Sequence, residues 1–116
     1  MLEEIIEKTN QYIEQMSKAE RKQYGQFFTS IETARYMANL FIIPNQKKIS
    51  ILDAGAGTGI LACALIERLN LVKFISEIDL TCYETDEKVY SLLQENLEYI
   101  TKKSSKKINV KILQEN

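Results

Sequence analysis

A chain of 116 residues can enclose one core but is short for a sheet covered by helices on both faces, so one domain, or part of one, is expected. Its 15 Lys and Arg against 16 Asp and Glu exclude a net basic field able to hold nucleic acid unaided. The absence of histidine excludes imidazole acid–base chemistry and His-ligated metals.

From the start of the chain, Met1-Leu2-Glu3-Glu4 carries acids where a signal peptide carries bases, and no apolar run approaches the roughly 20 residues of a membrane span. A cytoplasmic protein without membrane contact is expected. Leu2, Ile5, Ile6, Thr9, Tyr12, Ile13 and Met16 recur at helical spacing, predicting an amphipathic helix that ends near Ser17 and an N-terminal unit over residues 1–20. Residues 21–116 then form the remaining unit, read as a single domain. Arg21 to Phe28 is polar and aromatic, contains Gly25, and fits neither helical nor strand period. Arg21 and Lys22 read as solvated, or as phosphate contacts in a longer protein.

Thr29 with Glu32 three residues on forms a capping box. It predicts a helix capped by Thr29, with Ile31, Ala34, Ala38 and Phe41 on one face, stopping before Pro44. After a polar turn, Ile49 to Leu52 reads as a buried strand and runs directly into Asp53-Ala54-Gly55-Ala56-Gly57-Thr58-Gly59. Ile60 to Leu69 reads as a helix with Asn70 as a left-handed cap. Ile78 to Tyr83 is a second strand, ending at Glu84. A helix follows from Asp86, with Val89, Leu92, Leu93, Leu97 and Ile100 inward, and Ile108 to Leu113 is a third strand. The lysines from Lys102 to Lys107 read as a solvated turn. Strands alternating with helices predict an α/β fold with a parallel sheet and right-handed crossovers. Cys63 and Cys82 stand singly in apolar stretches, without metal or dithiol spacing, and read as reduced, buried thiols.

A Gly-rich strand-to-helix turn lets a ligand approach the backbone and offers it helix N-terminal amides. The glycines at 55, 57 and 59, with Ile60 next, fit the dinucleotide spacing G-x-G-x-x-G imperfectly. Asp53 at the strand end decides the charge: a diphosphate beside it is repelled, whereas S-adenosylmethionine has no phosphate and carries an ammonium and a sulfonium. Glu84 is placed to accept hydrogen bonds from two ribose hydroxyls, which both nucleotide classes share. Plainer readings exist. The turn alone is ordinary tight-turn chemistry, Glu84 is also an acid favoured at a helix N-terminus, and Asp86 reads as a cap rather than a ligand contact.

Gly25-Gln26-Phe27-Phe28-Thr29, then a helix containing Ala34, Tyr36 and Met37, then Ile51 to Gly59, together resemble the start of the adenine-N6 DNA methyltransferases of restriction-modification systems. The resemblance covers residues 18–100, and its aromatic-Thr run is more specific than the glycine loop. It implies a Rossmann-like class I methyltransferase fold, here its N-terminal helices and first three parallel strands with crossover helices, and S-adenosylmethionine as cofactor. It implies that residues 25–29 fold over the cofactor's methionine end, with Thr29 binding its carboxylate and Tyr24, Phe27 and Phe28 nearby. Asp53, Gly55 and Gly57 belong to the same site, Glu84 matches the ribose acid, and Thr85 lies against adenine. A helix N-terminus beside Thr29 is a physically suitable seat for an anion. Tyr24, Phe27 and Phe28 also read as plain packing.

The family holds a flipped adenine with an Asn-Pro-Pro-Tyr or Phe motif. Pro44 is the only proline here, so the motif is absent and no catalytic residue is assigned. The chain is expected to be an incomplete piece that methylates nothing alone and meets DNA through regions it lacks. In the family's strand order the first strand is central, so an end after the third strand exposes Ile49 to Leu52 as a sheet edge and invites self-association. Two other readings stay open: a methyltransferase acting on RNA, protein or a small molecule, and a noncatalytic module with the same fold.

Overall fold

The computed structural model describes residues 1–24 and 28–114. Five helices and three strands follow in the order α1 (Leu2–Glu14), α2 (Lys18–Tyr24), α3 (Ile31–Leu40), β1 (Lys48–Asp53), α4 (Ile60–Asn70), β2 (Glu77–Tyr83), α5 (Glu87–Lys103) and β3 (Lys107–Leu113). The strands form a parallel sheet in the order β1-β2-β3, the α/β arrangement that a Rossmann-like fold requires.

Register sorts the strand residues onto two faces. Ile49, Ile78 and Ile108 are aligned, as are Ile51, Leu80 and Val110, then Asp53, Cys82 and Ile112. Most of these are buried with Leu65, Ile66 and Leu69 of α4 and Leu93, Leu97 and Ile100 of α5. Each fully buried Leu or Ile of this kind contributes about 1.5–3 kcal/mol relative to exposure. The opposite face carries Lys48, whose ammonium lies 3.2 Å from Asp79 and 3.8 Å from Glu77, and Asn109, which donates to both acids.

α4 is apolar around most of its circumference, and seven of its residues are buried, because it lies between the sheet and an outer layer of α1 and α3. Polar contacts from two α4 residues fasten that outer layer. The Arg68 guanidinium of α4 donates to the carbonyls of Ala38 and Phe41, satisfying the end of α3, and Glu67 accepts from the Leu2 amide at the start of α1. α1 buries Leu2, Ile5 and Thr9.

Several expectations are corrected. Arg21 to Tyr24, the start of the stretch read as irregular, belong to α2 (Lys18–Tyr24), because Ser17 accepts from the Glu20 amide and holds the Glu20 carboxyl below its usual value. Ser17 therefore opens a second helix instead of closing the first, which stops at Glu14. The cap of α3 is Ser30, whose hydroxyl accepts from the Thr33 amide at 3.3 Å, so the helix starts one residue later than a Thr29 cap would place it. Phe41 is extended and half exposed rather than part of the inward face. Asn70 is the last residue of α4 and Leu71 the right-handed cap. The Asn70 side chain instead accepts from Ser104 at 2.7 Å, joining α4 to the end of α5. Leu92 is only partly buried, and Asn96 takes an inward position on α5.

β1 pairs only with β2 among the described residues, and its free edge borders an apolar groove of about 440 Å3 lined by Ile42, Ile43, Ile51, Leu61 and Leu65. Among the described residues, no helix is long and apolar enough to cross a membrane.

Candidate functional site

β1 and β2 end side by side, Asp53 aligned with Cys82, and the chain crosses above them through Ala54 to Gly59 into α4. The crossing is tied to β2 at successive points. Ala56 donates to the Tyr83 carbonyl at 3.0 Å, and Gly57 donates to one Glu84 carboxylate oxygen at 2.8 Å. The other Glu84 oxygen accepts from the Asp86 amide at 3.1 Å. Asp86 in turn caps α5 by accepting from Lys88, as the sequence predicts. Glu84 thus joins the glycine loop to the start of α5.

Two glycines make the crossing feasible. Gly57 has φ +57° and Gly59 φ +91°, backbone states that side chains resist. A Cβ on Gly59 would meet Leu93 Cδ1 at 3.3 Å, so the cap of α4 also lies close against α5. Among the described residues, a Cβ on Gly55 would meet nothing within 4 Å. Gly55 therefore borders open space, the side from which a ligand can reach the loop. The Phe28 ring lies against Gly57, 3.9 Å from where a Cβ would stand, so the segment before α3 touches the glycine loop.

The Asp53 carboxyl is half buried. Burial raises it above the ordinary carboxylate range, a hydrogen bond from the Gly55 backbone opposes that rise, and the Glu84 charge adds to it. Two acids at adjacent strand ends thus create a local demand for positive charge. Glu84 spends one acceptor site of each oxygen on a backbone amide, and a carboxylate offers about four in all, which leaves acceptors for hydroxyls. Thr85 is exposed beside it. Cys63 and Cys82 are buried and their thiols are pushed up to about 12 by burial, which makes them unreactive.

Of the residues singled out in the sequence, Phe28, Asp53, Gly55, Gly57, Glu84 and Thr85 are gathered at this end of the sheet. Thr29 precedes the α3 cap instead of forming it. Phe27, with Gly25 and Gln26, lies outside the described residues, and Tyr24 is described only as the last backbone position of α2. Sequence reasoning missed Thr58 and its two anchors, Thr9 and Asn96. Thr58 is 1% exposed, its hydroxyl is 2.8 Å from that of Thr9, and its carbonyl accepts from Asn96 Nδ2 at 2.8 Å. A signal was available: Thr9 and Asn96 are polar residues at inward helical positions.

The chain is similar to the type II methyltransferase M.BsuBI of Bacillus subtilis, 34% identical over 94 residues that make up 81% of this chain and 18% of that protein. It is also similar to the type II methyltransferase M.PstI of Providencia stuartii, 44% identical over 77 residues, 64% of this chain and 14% of that one. The chain thus spans under a fifth of the length of the curated relatives it matches. No family model matches it. The matched stretches cover most of this chain, and over them it is related to type II methyltransferases.

Proposed function

For a chain related over most of its length to type II methyltransferases, we propose that residues 21–116 are the N-terminal part of an S-adenosylmethionine-binding domain. The parent protein is read as an adenine-N6 DNA methyltransferase of a restriction-modification system, acting in the cytoplasm. The observation that carries the reading is the pair Asp53 and Glu84 at adjacent strand ends, flanking a glycine loop with open space at Gly55.

The residues present fit this cofactor on charge and on shape. Asp53, half buried and without a cation beside it among the described residues, favours the amino acid ammonium and the sulfonium, and would repel a diphosphate. Glu84 retains acceptors for the ribose hydroxyls, with Thr85 next to the adenine. Gly55 leaves room for the ligand to lie against backbone, and Gly57 keeps Glu84 turned toward the loop. Phe28 covers Gly57 from the side of Thr29, where the start of α3 offers amides to a carboxylate. Tyr24 and Phe27 complete the proposed lining. Bound here, S-adenosylmethionine supplies an activated methyl group.

The roles of these residues end at binding and orientation. No Asn-Pro-Pro motif accompanies them in the 116 residues, so selection of the adenine, and contact with DNA, belong to other parts of the parent protein. Calorimetric titration with S-adenosylmethionine and with NAD tests the reading. Preferential binding of S-adenosylmethionine is expected, and preferential binding of NAD would overturn it.

A further inference from the structure

Thr58 lies between two glycines held at positive φ, the part of the loop whose backbone is least restrained by its own side chains. Its position is set from outside. Asn96 of α5 donates to its carbonyl, and Thr9 of α1 meets its hydroxyl, all three residues being at most 1% exposed. The proton order can be assigned. The Thr9 hydroxyl spends its single proton on the Ile5 carbonyl at 2.8 Å, so in the 2.8 Å contact between the two hydroxyls Thr58 donates and Thr9 accepts.

Asn96 supplies a second argument. Its Oδ1 is buried without a hydrogen-bond partner among the described residues, a cost that a leucine at the same inward position would not carry. What the amide provides is the donor to the Thr58 carbonyl. The next amide before Thr58 is that of Gly57, which fixes Glu84, so any displacement of Thr58 is passed to the acid at the end of β2.

We propose that Thr9 and Asn96 are positioning residues that hold the glycine loop in its ligand-binding form, which makes α1 a working part of the site. The claim of a ligand effect rests on the S-adenosylmethionine reading above, while the claim about the loop does not. Thr9→Val keeps the shape and removes the acceptor, leaving the Thr58 proton buried without a partner. Thr9→Ser keeps the acceptor.

The test compares amide hydrogen exchange in peptides covering residues 54–60 with that in β2, in the intact protein and without ligand, for wild type, Thr9→Val and Thr9→Ser. Exchange in the loop is expected to rise about tenfold in Thr9→Val while β2 is unchanged, and Thr9→Ser is expected to restore it. S-adenosylmethionine affinity should fall about fivefold in Thr9→Val and recover in Thr9→Ser. An equal rise in loop and β2 would mean that Thr9 merely supports the fold, and would overturn the proposal. So would an unchanged loop, or a serine variant as impaired as the valine. If the wild type binds no S-adenosylmethionine, the cofactor reading fails, and the exchange comparison still decides the role of Thr9.

Discussion

The two faces of the sheet are built from the same three strands and differ in nearly every respect. One face presents Ile49, Ile78, Leu80, Cys82 and Ile108 to α4 and α5 and is dry. The other presents Lys48 among Glu77, Asp79 and Asn109, an ion-paired row open to water, with Leu52 67% exposed farther along. Parallel sheets are usually covered on both sides, and their strands then read as continuous apolar runs. Here Glu77-Ile78-Asp79-Leu80-Thr81-Cys82 alternates instead. The alternation matches a sheet whose described helices cover one side, and the glycine loop is moored to that covered side through Gly59 and Thr58.

The largest expected break in this contrast comes from Gly59→Val. The substitution forces a branched side chain into φ +91° and against Leu93, and should cost about 3 kcal/mol in urea unfolding. Gly55→Ala, at the open side of the same loop, should change stability by less than about 0.5 kcal/mol. Equal costs at the two positions would show that the loop is not fastened to the dry face as described.

Asp53→Asn separates stability from binding. In the free protein the Asp53 carboxyl is raised, so its ionised form weakens the folded state. Stability from this group is therefore greatest below the ordinary value of 3.8 and is lost as pH rises through the raised value. The asparagine variant should lack that loss and be the more stable at neutral pH, while binding S-adenosylmethionine about tenfold more weakly, a change of about 1.4 kcal/mol. Unchanged affinity would remove Asp53 from the site.

On the open side, Leu52→Lys should leave stability within about 0.5 kcal/mol, since that side chain is 67% exposed. The purified 116-residue chain is expected to self-associate through the free edge of β1 and its neighbouring groove, and the lysine should suppress this. Sedimentation at high concentration reads both outcomes, and a wild-type monomer would count against the edge as a contact. The smallest effect lies off both faces. A hydrogen bond from Arg35 holds the Glu3 carboxyl at about 2, so its contribution is present above 4.5 and is lost as pH falls through about 2. Arg35→Gln should bring that carboxyl back toward 4.5 in an NMR titration, with little change in stability because the pair is exposed.

Much of this was legible in the sequence because it depends on local chemistry. The order of strands and helices, the glycine crossing and the Asp86 cap each follow from residues close together in the chain, whereas Ile49 to Leu52, read as buried, leaves Leu52 exposed. Where reading failed, neighbouring signals competed. Ser17 with Glu20 is a capping box of the same form as Thr29 with Glu32, yet the polar, aromatic composition after it obscured the helix. Thr29 and Ser30 are adjacent hydroxyl residues, and only backbone geometry decides between them as cap. Asn70 has the composition of a left-handed cap, but its partner is Ser104, which no local rule anticipates. Thr9 and Asn96 were harder still, because their common partner Thr58 lies far from both in sequence.

Glu84 has a consequence for how this site can be probed. Both its oxygens face backbone N–H groups, so the usual neutral replacement, Glu84→Gln, would turn an amide NH2 toward the donor of either Gly57 or Asp86. The substitution therefore sets donor against donor and disturbs the loop before any ligand arrives. At this position the proposed ribose contact and the fold of the loop depend on one side chain, and a loss of binding is credited to that contact only once the loop has been measured on its own.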